Sequence, residues 1–175
     1  MTAREPSQRS ASASRRRFLK TSGVMVGGAM ASSLARSATL FAAGTETLRV
    51  GLVGCGGRGT GAASQALSAD PAVKLVAMAD TFEDHLTSSL ENLKRAMGDA
   101  AAEKIDVPAE RQFVGFDAYE KLLASDVDVV LLATPPHFRP AHLKAAIDSS
   151  KHVFCEKPVA VDAPGVRSVY ETSEL

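Results

Sequence analysis

From Thr47 to Leu175, short apolar runs alternate with stripes of helical period, and this alternation constrains the fold more than any single residue does. Leu48 to Val53, Val73 to Ala79, Val127 to Ala133 and His152 to Cys155 read as strands, with Gln112 to Phe116 as a shorter one. Between them lie helical stretches. Gly59 to Ala69 places Ala62, Ala63, Ala66 and Leu67 on one face and ends at Asp70-Pro71. Phe82, Leu86, Leu90, Leu93 and Met97 form a longer amphipathic stripe, which Gly98 can close in a left-handed cap. Asp99 to Arg111 is looser, and Tyr119 to Leu123 is a short helix. A further helix has Pro140 in its first turn and turns Leu143, Ala146 and Ile147 inward, and a last one is capped by Asp162. Strands separated by helices belong to a parallel sheet, so the expected class is α/β: a Rossmann-like doubly wound sheet with helices on both faces, over residues 47–175.

In such sheets ligands bind at the carboxyl ends of the strands, and the residues found there carry chemistry. Gly54-Cys55-Gly56-Gly57-Arg58-Gly59 fits G-x-G-x-x-G between the first strand and the first helix. The first glycine permits the tight turn, the second lets backbone amides approach a pyrophosphate, and the third allows close packing of the helix, whose N-terminus then faces the anion. Asp80 ends the second strand 21 positions after Gly59, near the ~20-residue interval at which an acid meets the adenosine ribose hydroxyls. A carboxylate there repels a 2′-phosphate, and neutral Thr81 follows it, so NAD is favoured over NADP; the same aspartate also suits capping of the Phe82 helix.

Two further stretches lie at strand ends. Thr134-Pro135-Pro136-His137 closes the fourth, where the stiff Pro-Pro step turns the backbone over the place a nicotinamide ring would take; a plain strand-to-helix turn is the alternative. His137 is placed to touch cofactor or substrate, His142 in its helix to pack or to lie at the surface, and the four histidines show no spacing that implies a metal. After the fifth strand stands Glu156-Lys157-Pro158. Lys157 suits hydrogen bonding to a substrate hydroxyl and stabilising an alkoxide, the more so where it is desolvated, and Glu156 suits orienting it; a surface ion pair is the competing reading.

The formal charge of zero hides an uneven distribution, because seven of the twenty basic residues precede position 38 against one acid, Glu5. From Ala38 onward the balance is −6, with 13 basic and 19 acidic residues, which argues against a nucleic-acid-binding body. Ser14-Arg15-Arg16-Arg17-Phe18-Leu19-Lys20 matches the bacterial twin-arginine export signal, and a mild Gly/Ala/Met/Val stretch follows. That stretch is broken by Ser32, Ser33 and Arg36, short of the ~20 apolar residues a membrane span needs. Residues 1–43 are therefore expected to be a signal peptide read by the twin-arginine translocase, with a periplasmic or otherwise exported product and no permanent membrane span. This route carries folded proteins, often with a cofactor inserted. Cys55 and Cys155 are two strands apart in the expected order, roughly 10 Å and beyond disulfide reach, so two free thiols are expected.

Taken in order, Gly54 to Gly59, Asp80, Ala133-Thr134-Pro135-Pro136 and Lys151-His152-Val153-Phe154-Cys155-Glu156-Lys157-Pro158 resemble the Gfo/Idh/MocA oxidoreductases, from about Leu48 to the last residue. The resemblance implies a Rossmann domain binding NAD(P), followed by an α/β substrate domain that supplies a histidine and often an aspartate to catalysis. Family members run to roughly twice this length, so the sequence is expected to stop short of that second domain. Ser149-Ser150 departs from the family, which usually has a glycine closing the helix before Lys151. The implied function is hydride transfer between a nicotinamide cofactor and a sugar or polyol, with Lys157 at the reacting oxygen. A truncated, non-catalytic nucleotide-binding remnant is the second expectation. A methyltransferase, which also uses a glycine loop and an acid after the second strand, is a third that Glu156-Lys157-Pro158 argues against.

Overall fold

The computed structural model describes residues 47–175; the twin-arginine motif and the rest of the expected signal peptide lie outside the described residues. Five strands form one parallel sheet: β1 (Leu48–Val53), β2 (Val73–Asp80), β3 (Gln112–Val114), β4 (Val129–Leu132) and β5 (His152–Cys155). Their order is β3-β2-β1-β4-β5. The helices are α1 (Gly57–Ala69), α2 (Glu83–Met97), the single turn α3 (Ala101–Lys104), α4 (Ala118–Leu123), α5 (Arg139–Asp148) and α6 (Ala163–Ser173). After β3 the chain crosses to the far side of β1, so the order reverses between β1 and β4. That reversal opens a crevice at the carboxyl edge of the sheet.

Strand alternation divides the core into two layers. Val50, Leu52 and Leu131 face the layer made with Ala62, Ala63 and Leu67 of α1 and Leu86, Leu90 and Leu93 of α2. Val53, Val130 and Leu132 face Ala118, Leu122 and Leu123 of α4 and Ala146 of α5. The alternation slips once. Val50 pairs with Leu75 but Gly51 pairs with Ala77, so Val76 is an extra residue, and Leu75 and Met78 share a face although three positions apart.

The elements match the expected alternation, with informative differences at their ends. α1 begins at Gly57, two residues before the expected start, so the last three residues of the glycine motif form its first turn. β3 stops at Val114, because Gly115 has φ 121° and leaves the strand. The segment read as loose contains α3 and an isolated parallel bridge from Ile105 to Leu75; Ile105 and Val107 are both buried. Gly98 takes a positive φ of 55° as expected, but its ψ of −126° lies outside the left-handed helical region and the chain goes on into a 3-10 turn. Asp162 caps α6, accepting from the Gly165 N–H at 2.8 Å. Both cysteines are free thiols, and burial pushes each above the ordinary thiol range. Among the described residues no helix is long and apolar enough to cross a membrane.

Candidate functional site

The glycine-rich turn is packed tightly beneath and open above. Gly54 has φ +94°, and a Cβ there would lie 2.7 Å from the Thr134 nitrogen. A Cβ at Gly59 would lie 1.8 Å from the Gly54 carbonyl oxygen, so α1 approaches the turn as only glycine permits. Around Gly56 and Gly57 a Cβ would meet nothing within 4 Å. The amides from Gly56 to Gly59 belong to the first turn of a 13-residue helix, where no intrahelical acceptor is available, and they form a donor cradle at its positive end.

Asp80 fastens this turn to the end of β2. Its Oδ2 accepts from the Cys55 N–H at 2.6 Å and its Oδ1 from the Phe82 N–H at 2.9 Å, with His85 Nδ1 3.6 Å from Oδ1. Each carboxylate oxygen keeps acceptor capacity beyond these contacts. The helix cap expected of Asp80 is corrected: the N-cap of α2 is Phe82, with no side-chain cap bond, and Asp80 instead closes a short turn onto the Phe82 N–H just before the helix, which is compatible with its ligand-facing position.

A cleft of about 480 Å³ lies over the ends of β1, β2 and β4, within the size range of ligand sites. Gly54, Gly56, Asp80, Thr134 and Pro135 line it, as do Phe82, His85, Phe116, Tyr119, Phe138, Arg139 and His142, on which sequence reasoning placed no site role. Gly57, Arg58, Gly59, Pro136, His137, Glu156 and Lys157 do not line it. His137 is exposed and stands edge-on to Phe138, with ring centroids 5.2 Å apart. His142 packs within the fold as expected and also contributes to the cleft wall. Its Nδ1 is 3.1 Å from Thr134 Oγ1 and its ring stacks on Tyr119 with centroids 4.1 Å apart. Burial pushes its pKa down to about 4, which keeps the ring neutral near pH 7.

Glu156 and Lys157 part company. Glu156 is buried, and its Oε1 accepts from Arg58 Nε at 2.6 Å in an ion pair that Arg58 Nη2 joins. The Arg58 guanidinium holds this carboxyl below the usual carboxylate range. The Glu156 carboxylate is thus engaged by the first turn of α1 and, among the described residues, makes no ion pair with the Lys157 ammonium. Lys157 is exposed, and its Nζ makes no hydrogen bond or ion pair among the described residues. β5 is an edge strand, and past the buried Glu156 the chain runs out to the surface over Lys157, Pro158 and Val159. Among the described residues no cluster of His, Cys, Asp or Glu is suited to a metal.

A parallel sheet with its order reversed at β1, a glycine cradle at a helix N-terminus and an acid ending β2 define a dinucleotide-binding Rossmann domain. The cradle fits such a group, since it is closed by Gly54 and Gly59 beneath and clear at Gly56 and Gly57 above. Residues 48–174 match the family described as oxidoreductase family, NAD-binding Rossmann fold, and the chain belongs to this Gfo/Idh/MocA family. Among curated relatives, a glycosyl hydrolase family 109 protein of Shewanella pealeana is 28% identical, over 91% of this chain and 37% of its own. Among solved structures, KijD10, a 3-ketoreductase from Actinomadura kijaniata in complex with NADP and TDP-benzene, matches at a TM-score of 0.54 and 25% identity, over 74% of this chain and 34% of its own. The fold is likewise that of myo-inositol 2-dehydrogenase from Lactobacillus plantarum, at a TM-score of 0.56 and 21% identity, over 74% of this chain and 33% of that one. The chain thus spans about a third of the length of these proteins.

Proposed function

We propose that this chain is the cofactor-binding domain of an exported oxidoreductase that moves hydride between a nicotinamide dinucleotide, NAD in preference to NADP, and a sugar- or polyol-like substrate. The observation that carries the reading is Asp80, held by the Cys55 and Phe82 amides at the floor of the cleft beside the glycine cradle. Thr81, Phe82 and His85 surround it with no Lys or Arg, so this end of the cleft suits two ribose hydroxyls and repels a 2′-phosphate. When bound, the cofactor supplies a hydride acceptor or donor. The chain supplies the rest: amides of Gly56 to Gly59 for the diphosphate, Asp80 for the ribose, Thr134 and Pro135 for the wall near the reacting ring, and Lys157 to hold a proton at Nζ for the substrate oxygen. Sugar-like substrates are supported by the inositol and TDP-linked ligands printed in the names of the structural neighbours. Export is supported by the motif from Ser14 to Lys20.

A glycoside as substrate is the second reading, favoured by the glycosyl hydrolase name of the Shewanella pealeana relative. Among the described residues Asp80 is the only acid lining the cleft, so on this reading a glycoside would be handled by NAD-dependent chemistry and not by a pair of carboxylates.

Titrating the chain with NADH and following its fluorescence tests the proposal. Loss of a charge-assisted hydrogen bond in Asp80→Ala should weaken NADH binding by about tenfold and reduce the preference for NADH over NADPH. A folded chain that binds neither dinucleotide would rule the reading out, and equal binding by the variant would remove Asp80 from it.

A further inference from the structure

Arg139, the first residue of α5, is buried at 5% exposure, yet no carboxylate lies within salt-bridge distance of it among the described residues. Its Nη1 donates to the Glu156 carbonyl at 2.7 Å and also to the Pro158 carbonyl, while its Nε finds no acceptor. The Glu156 carboxylate, already engaged by Arg58, feels the Arg139 charge only from beyond salt-bridge distance, so the direct partners of the guanidinium are carbonyls, and an apolar side chain of similar volume would serve packing at least as well. The two carbonyls it does bind belong to the residues immediately before and after Lys157.

We propose that Arg139 is a positioning residue for Lys157, fixing the loop that carries the lysine through the two carbonyls that bracket it. The inference rests on the reading of Lys157 given above. A single nitrogen on α5 gathers both ends of the lysine's backbone, and the same residue lines the cleft beside Thr134 and Pro135. From the other side, the Glu156 carboxylate is tied to Arg58 in the first turn of α1. The Lys157 backbone is thereby linked to both walls of the crevice, while its exposed ammonium keeps its three donors for a ligand. Long side chains such as lysine act at a defined point only when their attachment is fixed, because misplacement by about 1 Å can cost about a hundredfold in rate.

The test measures acetylation of Lys157 by mass spectrometry in the full chain, with and without NADH, using the exposed Lys94 and Lys121 as internal controls. NADH at ten times its Kd leaves about a tenth of the chain free, so protection of Lys157 in the unsubstituted chain should approach about tenfold. In Arg139→Met, measured with NADH at ten times that variant's own Kd, protection of Lys157 should fall below about twofold. Arg139→Lys keeps the charge and one donor group and should restore part of the protection. It also carries the test if Arg139→Met fails to fold. Undiminished protection in folded Arg139→Met, or in Arg139→Lys where Arg139→Met does not fold, overturns the role of Arg139 alone. No protection in the unsubstituted chain at saturating NADH overturns the reading of Lys157, and this inference with it.

Discussion

A side chain at position 54 would meet the peptide between Ala133 and Thr134, and one at position 59 would meet the Gly54 carbonyl. The Gly59 constraint acts across five positions and was readable from the spacing of the glycines, whereas the Gly54 contact is with a peptide 79 and 80 positions on and follows from the pairing of β1 with β4. Arg139 was not readable in this way. Its partners lie 17 and 19 positions on, past a strand, and an arginine at a helix start carries no sign of burial. Ser150 belongs to the Ser149-Ser150 pair, where the resemblance implies a glycine, and the structure shows how the helix closes without one. It closes α5 with φ 55°, its N–H bonded to the Ile147 carbonyl at 2.8 Å and the Lys151 N–H to the Ala146 carbonyl at 3.0 Å. This is a Schellman cap with serine in the left-handed place that glycine occupies at least cost. The strain at that position exceeds the extra chain entropy that glycine surrenders on folding, so Ser150→Gly should stabilise the fold by about 0.5–1 kcal/mol. Urea unfolding reads this directly: the midpoint should rise with an unchanged slope, and a lower midpoint would contradict the strain.

Among the elements, α1 shows how propensity and packing can oppose each other within one helix. Gly59 and Gly61 are both glycines in its first two turns, and alanine is intrinsically better than glycine at each. At Gly61 the nearest atom to an added Cβ is Arg58 Nη1 at 3.9 Å, so Gly61→Ala should gain about 0.5–1 kcal/mol. At Gly59 the added Cβ meets a backbone oxygen that can retreat only if the end of β1 moves. Gly59→Ala should therefore lose about 1–3 kcal/mol as an overpacked contact, despite its better propensity. It should also weaken NADH binding, because displacing α1 moves the amide cradle, whereas Gly61→Ala should leave that binding unchanged. Comparing the two variants by urea unfolding and NADH titration separates seating from propensity, and a stabilised Gly59→Ala would mean that α1 is not held by that contact. Element boundaries were less legible than element types. The first turn of α1 hides inside a motif read as a loop, and Ile105 pairs with β2 from a segment that has no strand period of its own.

Across the whole molecule, the reversal of strand order at β1 was legible, because parallel strands joined by right-handed crossovers leave few arrangements. The glycine turn, Asp80, Thr134 and Pro135 gather at that reversal as their places in the sequence imply. The contacts that join the two halves of the crevice were not legible, since Arg58 and Glu156 stand 98 positions apart and no periodicity links them. His142, whose packing was expected, has a consequence for the stability of the entire domain. Its ring is neutral and buried between Tyr119 and Thr134, with a pKa pushed down to about 4 from an ordinary 6.5. An unfolded chain takes up a proton there as pH falls below about 6.5, while the folded chain refuses it until about pH 4. The associated stability is complete above the unfolded value and is lost as pH falls toward the folded one, at a cost approaching about 2 kcal/mol between pH 7 and pH 5. Asp128, held low by Arg49, and Glu156, held low by Arg58, protonate only beneath the ordinary carboxylate range, so their contributions disappear at lower pH than this window. Urea midpoints at pH 7 and pH 5 should therefore differ clearly for the unsubstituted chain and much less for His142→Gln. An equal loss in both would place the acid sensitivity elsewhere in the domain.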